Sequence, residues 1–549
     1  MNDTEAHSAE TRKSTQLASE VYTPKSYSEA KNCKDAELWM EAIQAESQAL
    51  LERGTFEIIH KVPDGANIVK SKWVFKVKAD PDGYIDRYKA RLVAQGYTQR
   101  EHLDYDPDKI FAPVVRTRTL RVILSLIIHH KLEAVSMDFS NAYLNSDIQH
   151  ELYLKAAPGF NGSSGNVLLQ VHKGLYGFVQ SGNLWNQNVH QRIIEQGFEQ
   201  LDSDNCVYVK YSKTNNIRDK DFVIIALYVD DLLIANSSYT EAHRIAKLIQ
   251  GELKASEPKK LNLFTGIKLE QVNELLNFSV PVHIKDAIEC AGLADAKTAE
   301  TPMASSCQLQ AHTPGDNDCK GPFAKIIGKL MFISGQARPD ITFAVHRLAR
   351  YMANPKQSHW RAVQRILKYL KSNPKASLTY GYHSNQIGKI EIYTDADYGN
   401  DPESFRSTTG FLVFFNGDLI AWESKLQRVV ALSSCEAEFM ALTEATKEAL
   451  WIKSFLSELR LNTNGPININ EDNQSAIQLV KNPTFHARTK HMNIKLNFVR
   501  DEFKKGTIHL KYCPTQDNIA DILTKPLSLN LFRKHFTDLN LREPDNPHI

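Results

Sequence analysis

The sequence predicts a multidomain protein of the α+β or α/β class, and two observations lead to this prediction. The chain has 549 residues, and a single hydrophobic core usually stops growing near ~250–300 residues, so several domains are expected. Helical and strand patterns alternate up to about residue 270, whereas the part after residue 388 begins with three successive strands before its first helix. The two orders predict two different kinds of mixed domain on one chain.

The composition excludes several classes of protein. With 42% hydrophobic residues, 24% charged residues and a net charge of +2, the chain has the make-up of an ordinary globular protein. Its seven cysteines are odd in number and include no CxxC pair, which argues against a disulfide framework or a zinc ribbon and favours a reducing compartment. We find no secretory signal and no apolar window long enough for a bilayer, so we expect a soluble intracellular protein.

The first part of the chain shows a helix followed by a hairpin. Residues 1–35 are polar and aperiodic and are predicted to be disordered or a linker. Trp39 and Ile43 then begin a helical pattern. Residues 72–78 and 87–93 alternate between apolar and polar side chains and are separated by Asp-Pro-Asp-Gly, which predicts two antiparallel strands joined by a turn.

A pair of aspartates interrupts the most apolar part of the chain. Asp230 and Asp231 separate the apolar residues 222–229 from a second apolar run. Aspartates often mark turns, but two adjacent anions beside a core cost several kcal/mol unless a cation neutralises them. A divalent metal is the economical explanation, and Asp138, at the end of the apolar residues 134–137, offers the third carboxylate of a two-metal site.

A basic block covers residues 321–380. It contains eleven Lys or Arg and one acid, Asp340, for a net charge of +10. These cations could be the solvated faces of helices. Their number, and the aromatic residues among them, favour a surface that follows nucleic-acid phosphates.

The last part of the chain predicts a mixed sheet covered by helices. The predicted elements are, in order, strands 389–394, 410–415 and 418–423, a helix from about Ser434, strand 466–470, a helix, strand 507–512 and a final helix near Asn518. The Asn-Gly pair between the second and third strands is a strong hairpin signal.

Acidic residues stand at the ends of these predicted strands or at the starts of the neighbouring helices. They are Asp395, Glu436 and Glu438, Asp472 and Asp521. Any one of them could be a helix cap or a surface acid, and Asp472 is well placed as an N-cap. In this strand order the side chains could converge over one sheet edge, which is the arrangement that a two-metal nuclease requires.

An ordered series of motifs resembles one family of proteins. Tyr-Val-Asp-Asp at 228–231 resembles the YxDD box of reverse transcriptases, and residues 135–143 resemble their first catalytic motif. Residues 72–76 (KWVFK), 87–94 (RYKARLVA) and 175–177 (LYG) are similar to the copia-type (Pseudoviridae) Pol polyproteins of long-terminal-repeat retrotransposons. The resemblance extends from about Trp39 to Phe536 and covers their reverse transcriptase and ribonuclease H region.

The resemblance implies a fold and a set of domains. It implies a right-hand polymerase, with fingers and palm over residues 36–275 and a basic thumb or connection over residues 276–385. A ribonuclease H-like domain with a mixed sheet would occupy residues 386–540, and residues 541–549 would be a tail. The family's Asp-Glu-Asp-Asp set falls on Asp395, Glu438, Asp472 and Asp521, and Glu438 is preferred to Glu436 because the following Phe-Met-Ala-Leu fits the family pattern.

The resemblance also implies a nucleotide-binding set. Tyr143 stands where the family places the aromatic residue that excludes a ribose 2′-hydroxyl, although a core aromatic would fit the sequence equally well. Lys89 and Arg91 on the hairpin would hold the incoming triphosphate, or they could be ordinary surface cations. Gly177 begins the segment that supports nucleotide and template.

The implied activity is RNA-directed DNA polymerisation with ribonuclease H cleavage of the RNA in RNA–DNA hybrids. Each active site would hold two Mg²⁺, with Mn²⁺ as an alternative. The implied partners are an RNA template, a DNA primer, the hybrid and dNTPs, with no membrane, and other polyprotein products such as capsid and integrase. The implied location is the cytoplasm, including virus-like particles, or the nucleus.

Two rival functions remain open. The family's usual lysine, proline and arginine are replaced by Val179, Gly182 and Asn183. These departures would fit a catalytically impaired or co-opted remnant that binds nucleic acid without copying it. The second rival is a template-directed DNA repair polymerase, which would not need the second set of carboxylates.

Overall fold

The computed structural model describes residues 21–79, 84–163, 167–211, 222–383, 386–461, 465–482 and 493–543. The chain divides into two compact units, each built from several segments. Unit 1 comprises residues 1–113, 139–196 and 249–256, and unit 2 comprises residues 114–138, 197–248 and 257–549.

Helices and strands alternate along the described chain. The helices are α1 Tyr27–Asn32, α2 Ala36–Glu52, α3 Thr117–His129, α4 Ser181–Glu195, α5 Tyr239–Gln250, α6 Pro281–Cys290, α7 Phe323–Gln336, α8 Thr342–Ala349, α9 Gln357–Ser372, α10 Ser434–Glu458, α11 Gln474–Lys481, α12 Asn493–Lys504 and α13 Leu529–Asp538. The strands are β1 Phe56–Ile59, β2 Ile68–Ala79, β3 Ile85–Ala94, β4 Glu133–Asp138, β5 Asp147–Lys155, β6 Leu168–Lys173, β7 Glu199–Gln200, β8 Val207–Tyr211, β9 Phe222–Tyr228, β10 Asp231–Asn236, β11 Lys259–Lys260, β12 Leu263–Phe264, β13 Ile267–Val272, β14 Leu275–Ser279, β15 Ser377–Tyr380, β16 Ile390–Asp397, β17 Thr408–Phe415, β18 Asp418–Leu426, β19 Ile467–Glu471, β20 Ile508–Tyr512 and β21 Leu541–Arg542.

Unit 1 contains one five-stranded sheet in the order β1-β6-β5-β2-β3. Strands β2 and β3 form the predicted antiparallel hairpin, with Trp73 opposite Leu92, while its turn lies outside the described residues. Helix α2 packs on this sheet because Trp39 is fully buried and meets Phe75 and Tyr88 edge-on at 5.2 and 4.7 Å between ring centroids. The helical pattern and the hairpin predicted for this region are therefore confirmed.

Part of the segment predicted to be disordered or a linker, residues 1–35, is helical. Within residues 1–35, helix α1 forms because the Ser26 hydroxyl accepts a hydrogen bond from the Glu29 backbone N–H and caps its first turn. Residues 1–20 lie outside the described part of the chain.

Unit 2 contains a six-stranded sheet that carries the first carboxylate set. Its strand order is β11-β4-β10-β9-β8-β7, and all of its pairs are antiparallel. Strands β9 and β10 are almost wholly buried along their length. They are the two apolar runs that the sequence placed on either side of the aspartates, so these acids lie at the edge of a core.

A second sheet of unit 2 was not predicted. Its order is β12-β13-β14-β15-β21, and all of its pairs are antiparallel. Strand β14 runs across the predicted boundary between residues 275 and 276 because it pairs on both sides, with β13 and with β15. Strand β21 pairs with β15 inside the segment predicted to be a tail. The predicted boundaries at residues 275/276 and 540/541 therefore differ from the structure, because strands β14 and β21 pair with other strands of this sheet.

The third sheet of unit 2 is the predicted mixed sheet. Its order is β18-β17-β16-β19-β20, with antiparallel pairs among the first three strands and parallel pairs at β16–β19 and β19–β20. Asn416 and Gly417 form the predicted turn between β17 and β18, with φ values of 56° and 81°. The final helix is placed differently from the prediction, because a short 3-10 helix, Ile519–Leu523, precedes α13. The α+β class with a mixed sheet is confirmed.

The basic block is less exposed than a phosphate-binding surface would be. Arg338 is fully buried and binds Asp340 through two hydrogen bonds of 3.0 and 2.7 Å. Arg350 pairs with Asp401 at 2.9 Å, and Lys356 pairs with Asp316 at 3.2 Å. Several cations of the block therefore fold the protein rather than face solvent, which corrects the prediction that the block as a whole follows phosphates.

None of the helices in the described ranges is both long enough and apolar enough to cross a membrane.

Candidate active sites

The carboxylates of the first predicted set lie at one end of the six-stranded sheet. Asp138 ends β4 and stands directly opposite Asp231, the first residue of β10. Asp230 lies in the two-residue turn between β9 and β10. Because adjacent antiparallel strands bring opposite residues within about 5 Å, these three acids share one strand edge.

The turn before Asp231 has a strained backbone. Val229 has a φ of 55°, in the left-handed region that β-branched residues rarely adopt. Such strain costs of order 1–3 kcal/mol and persists only where the surroundings fix it, as the two buried strands do here. The turn therefore presents Asp230 and Asp231 in a fixed geometry.

The environment of Asp231 disfavours a bare negative charge. Burial, followed by repulsion from Asp230 and Asp138, raises the pKa of Asp231 to about 6. A cation between these carboxylates would offset their repulsion and favour the charged form of Asp231 despite its burial. The arrangement can thus bind a metal and place it at the edge of a core.

The second carboxylate set converges more closely. Ligand oxygens of Asp395, Glu438 and Asp472 all lie within 4.8 Å of one another, and in the part of the chain that the structure describes no other group of acids, histidines or cysteines is as compact. Strand β16 supplies Asp395, helix α10 supplies Glu438, and Asp472 directly follows β19. Burial, followed by repulsion from Glu471, raises the pKa of Glu438 to about 11.

Asp521 lies beside this group but is held by a lysine. Lys525 Nζ is 2.8 Å from Asp521 Oδ1 and 3.8 Å from Asp395 Oδ2. Burial, followed by the charge of Asp395, raises the pKa of Asp521 to about 7 although Lys525 opposes this. The Thr524 hydroxyl also donates a hydrogen bond to Asp395. The predicted four acids are therefore brought together, with Lys525 occupying a cation position next to two of them.

The structure separates the two glutamates that open helix α10. Glu436 accepts a hydrogen bond of 2.7 Å from the Leu432 backbone N–H, and its own N–H is bound by the Ser433 hydroxyl. This is a capping arrangement. Glu438, two residues later, points its carboxylate toward Asp395 and Asp472 instead.

Sequence reasoning missed Glu471, Thr524 and Lys525. Glu471 is fully buried, and burial raises its pKa well above the usual range. The period of two along β19 could have found it, since Ile467, Ile469 and Glu471 fall on one face of the strand. We see no comparable sequence signal for Lys525, whose role depends on how the 3-10 helix folds back.

The predicted nucleotide-binding residues lie in unit 1. The Arg91 guanidinium stacks 4.0 Å from the Tyr176 ring centroid, and the Tyr143 ring lies 4.5 Å from the same ring. Gly177 has a φ of 97°, and a Cβ there would come within 2.0 Å of the Ala94 carbonyl oxygen, so only glycine fits.

Lys89 is the remaining member of the predicted nucleotide-binding set. It is on the same strand as Arg91, and burial, followed by the charge of Arg91, lowers its pKa. Glu46 partly offsets this shift. Lys89 is thus a partly buried cation with an acid nearby, which agrees with a structural role as well as with a phosphate contact.

The three positions that depart from the family pattern are accommodated locally. The Val179 N–H donates to Gln99 Oε1 at 3.0 Å, and Asn183 Nδ2 donates to the Phe111 carbonyl at 2.6 Å. A Cβ at Gly182 would lie 3.2 Å from that of Ala112. The backbone of this segment is therefore well held without the family's usual side chains.

One protein-family model matches a segment that makes up a little under half of the chain. Residues 53–305 match the family model described as reverse transcriptase (RNA-dependent DNA polymerase). This segment of the chain is similar to reverse transcriptases. It includes both the hairpin of unit 1 and the Asp138, Asp230 and Asp231 set.

Curated relatives extend the likeness beyond the reverse transcriptase domain. The chain is 36% identical over 530 residues to the retrovirus-related Pol polyprotein from transposon TNT 1-94 of Nicotiana tabacum, covering 94% of this chain and 39% of that protein. It is 32% identical over 498 residues to the polyprotein from transposon RE1 of Arabidopsis thaliana, covering 90% of this chain and 33% of that protein. The chain thus spans less than half of the length of these relatives. The resemblance to copia-type Pol polyproteins is confirmed.

Solved structures share only a local likeness. LC11-RNase H1, isolated from compost by a metagenomic approach, is 15% identical and covers 25% of this chain and 94% of its own, with a TM-score of 0.21. The mixed sheet is therefore described by its own strand order.

Replacing Lys525 should make the fold more dependent on metal. We expect Lys525→Met in EDTA to lower the free energy of unfolding by about 1 kcal/mol or less, because the ammonium is partly exposed and screened. The melting temperature should fall accordingly. Added Mg²⁺ should raise the melting temperature of this variant more than that of the unchanged protein, because the acids then lack their internal cation. Thermal unfolding with and without Mg²⁺ measures both effects.

Lys534→Met is the matched control for that measurement. Lys534 also pairs with an aspartate, Asp517, but both side chains are close to half exposed and lie outside the acidic group. Its melting temperature should respond to Mg²⁺ as that of the unchanged protein does. An equal response of the two lysine variants would contradict the role given to Lys525.

Proposed function

We propose that this chain copies an RNA template into DNA from a primer and cleaves the RNA strand of the resulting hybrid. The observation that carries the proposal is the presence of two separate carboxylate sets, each at the end of strands in its own sheet. The match of residues 53–305 to the reverse transcriptase family model supports the first activity. The order of the mixed sheet, and the acids grouped on it, support the second.

The first set fits a divalent metal because its acids are forced together at the edge of a core. Asp231 is more than half buried between two other carboxylates, and this arrangement is unfavourable without a cation. Asp138, Asp230 and Asp231 would hold the metal. Two bound Mg²⁺ would supply activation of the primer 3′-hydroxyl and neutralisation of the leaving pyrophosphate, with Mn²⁺ as an alternative.

The second set fits a divalent metal for a further reason. Glu438 Oε2 and Glu471 Oε2 are buried and have no hydrogen-bond partner among the described residues. Buried carboxylate oxygens without donors are rare and are explained by a bound ion or by protonation. Asp395, Glu438 and Asp472 would hold the metal, and Asp521 would join them once Lys525 moves aside. These residues would position the water that attacks the RNA phosphodiester.

The nucleotide-binding set would select and hold dNTPs. The half-buried Arg91 stacks on Tyr176, and its guanidinium would donate hydrogen bonds to a triphosphate. The Tyr143 ring packs against the same Tyr176 ring. Half-buried in this way, it would form a rigid wall against a ribose 2′-hydroxyl.

A second candidate function is a remnant that binds nucleic acid without copying it. Asn183 favours it, because this side chain is engaged with the Phe111 carbonyl and offers no cation to a nucleotide. The two candidates differ in one measurement. Primer extension on an RNA template should succeed for the first and fail for the second.

Asp230→Asn provides the decisive variant for that measurement. We expect it to lower primer extension by about 100-fold or more, because removing even an outer partner of a metal site costs ~10–100-fold. Cleavage of a labelled RNA–DNA hybrid by the same protein should persist, since its carboxylates belong to another sheet. Asp202→Asn, at an exposed position of the same unit, should leave extension unchanged. Failure of the folded, unchanged protein to extend any primer would overturn the polymerase proposal.

A further inference from the structure

An open cavity of about 470 Å³ lies within unit 2. Residues of α3, α7, α8, β17, β18 and α10 line it. None of the seven acids assigned to the active sites lines it. A cavity of this size is in the range that holds a small organic ligand.

A buried arginine without an acidic partner forms part of its wall. Arg121 on α3 is 4% exposed. Its guanidinium donates to the backbone carbonyls of Gly335, Gln336 and Ile420 and lies 3.7 Å from the Trp422 ring centroid. All of these partners are neutral, and no carboxylate among the described residues pairs with it. Burial lowers the pKa of Arg121 to about 10, so it remains a cation at neutral pH.

An uncompensated buried cation is unfavourable, and natural proteins nearly always supply an anion to it. Arg338, in the same unit, shows the usual solution, with Asp340 as its partner. The cavity beside Arg121 offers space where a compensating anion could be placed.

Further donor atoms around the cavity lack partners. Arg121 Nε, Arg118 Nε and Thr342 Oγ1 are buried without a hydrogen bond to any described residue. Thr342 is only 2% exposed. Buried donors are paired in most native structures, so three unsatisfied donors around one cavity indicate a partner bound inside it.

The remaining charges of the lining do not cancel this donor set. Glu448 is bound by Arg118. Glu423, the other acid of the lining, lies 3.4 Å from Lys425, which is not a lining residue. His346 donates from Nδ1 to the Ser424 carbonyl at 2.6 Å and so presents Nε2 as an acceptor when neutral. Arg116 adds a further cation to the lining. The N–H donors of a guanidinium group are arranged to bind two phosphate oxygens at once, which a single halide ion does not offer.

We propose that this cavity binds a phosphate-class anion, held by the Arg121 and Arg118 guanidinium groups and the Thr342 hydroxyl. The site lies outside the two proposed catalytic centres and does not depend on their activity. The anion comes either from a free nucleotide or inorganic phosphate, or from the backbone of a bound nucleic acid.

Equilibrium dialysis of labelled inorganic phosphate against the full chain tests the proposal. EDTA is present throughout, so that no metal bridges phosphate to the carboxylate sets. We expect saturable binding of one phosphate per chain. Arg121→Met should weaken it by about tenfold or more, since a hydrogen bond to a charged group is worth about that factor. Thr342→Val, which keeps the shape of the side chain, should weaken it by a smaller factor.

Controls keep the outcome decisive. Arg244→Met removes an exposed arginine of the same unit, whose partner is Glu241, and should leave phosphate binding unchanged. Circular dichroism checks the fold of Arg121→Met, and Thr342→Val decides the matter if that variant does not fold. Absence of saturable binding, or equal binding by the unchanged protein and a folded Arg121→Met, overturns the proposal. An equal loss in Arg244→Met overturns it as well.

Competition identifies the source of the anion. An RNA–DNA hybrid that displaces the bound phosphate assigns the site to backbone phosphates of a nucleic acid. Displacement by a deoxynucleoside monophosphate, but not by the hybrid, assigns it to free nucleotides.

Discussion

Glu438→Gln should lower the rate at which the RNA strand of a hybrid is cleaved by about 100-fold or more. Primer extension should be unchanged. Glu438 carries one of the three oxygens that converge within 4.8 Å, and a neutral amide there offers a weaker metal ligand and an N–H₂ group that repels a cation. The carboxamide has nearly the same volume as the carboxyl, so the surrounding core is preserved. A labelled RNA–DNA hybrid and a primed RNA template, tested with the same preparation, measure the two activities.

Glu436→Gln is the matched control, because it lies two residues away on the same helix. Glu436 caps α10 through the Leu432 N–H, and glutamine can still accept that hydrogen bond. Its hybrid cleavage should stay within a factor of about two, with a stability loss of ~1 kcal/mol at most. The assignment of Glu438 fails if both glutamine variants lose cleavage alike, or if neither does.

Arg338→Met should destabilise the chain by about 3–5 kcal/mol, the usual cost of removing one member of a buried ion pair. Both side chains of the Arg338–Asp340 pair have no exposed surface. The Tyr369 hydroxyl donates to Asp340 at 2.6 Å, so the aspartate would keep one neutral donor and lose its cation. Denaturant unfolding followed by circular dichroism measures the change in the free energy of unfolding.

Two further variants test this reason for the loss. Arg361→Met removes an exposed arginine from the same basic block and should change the free energy of unfolding by less than about 0.5 kcal/mol. Adding Asp340→Asn to Arg338→Met should recover part of the loss, because the unpaired charge is gone and Tyr369 keeps its acceptor. A loss of similar size for Arg338→Met and Arg361→Met would show that the buried pair is not its cause.

Local signals predicted the features that depend on neighbouring residues. The Asn416-Gly417 pair forecast a hairpin because both positions take positive φ, and the structure has that turn. Placing Glu438 rather than Glu436 in the acidic group rested on the family pattern that follows Glu438. The hydrogen bond of Glu436 to Leu432 agrees with that choice.

Features that depend on distant parts of the chain could not be predicted in this way. The β12 to β21 sheet joins residues near 270, 380 and 541, and no local periodicity indicates such pairing. Charge counting over residues 321–380 could not tell a buried cation such as Arg338 from an exposed one such as Arg361, because burial depends on what packs against each residue. The contact between Lys525 and Asp395 could not be predicted either, because it joins residues that are far apart in the sequence.

The pairing of β21 with β15 also bears on how this chain is made. Leu541 is fully buried opposite Leu378, so the outer strand that covers β15 emerges from the ribosome only after some 160 further residues have been synthesised. At ~5–20 residues per second, that delay is roughly 10–30 s. During it the backbone groups along one edge of β15 have no strand to pair with, and an open edge of this kind invites association with other chains. Nascent chains halted between β15 and β21 should therefore depend on chaperones more than full-length ones do.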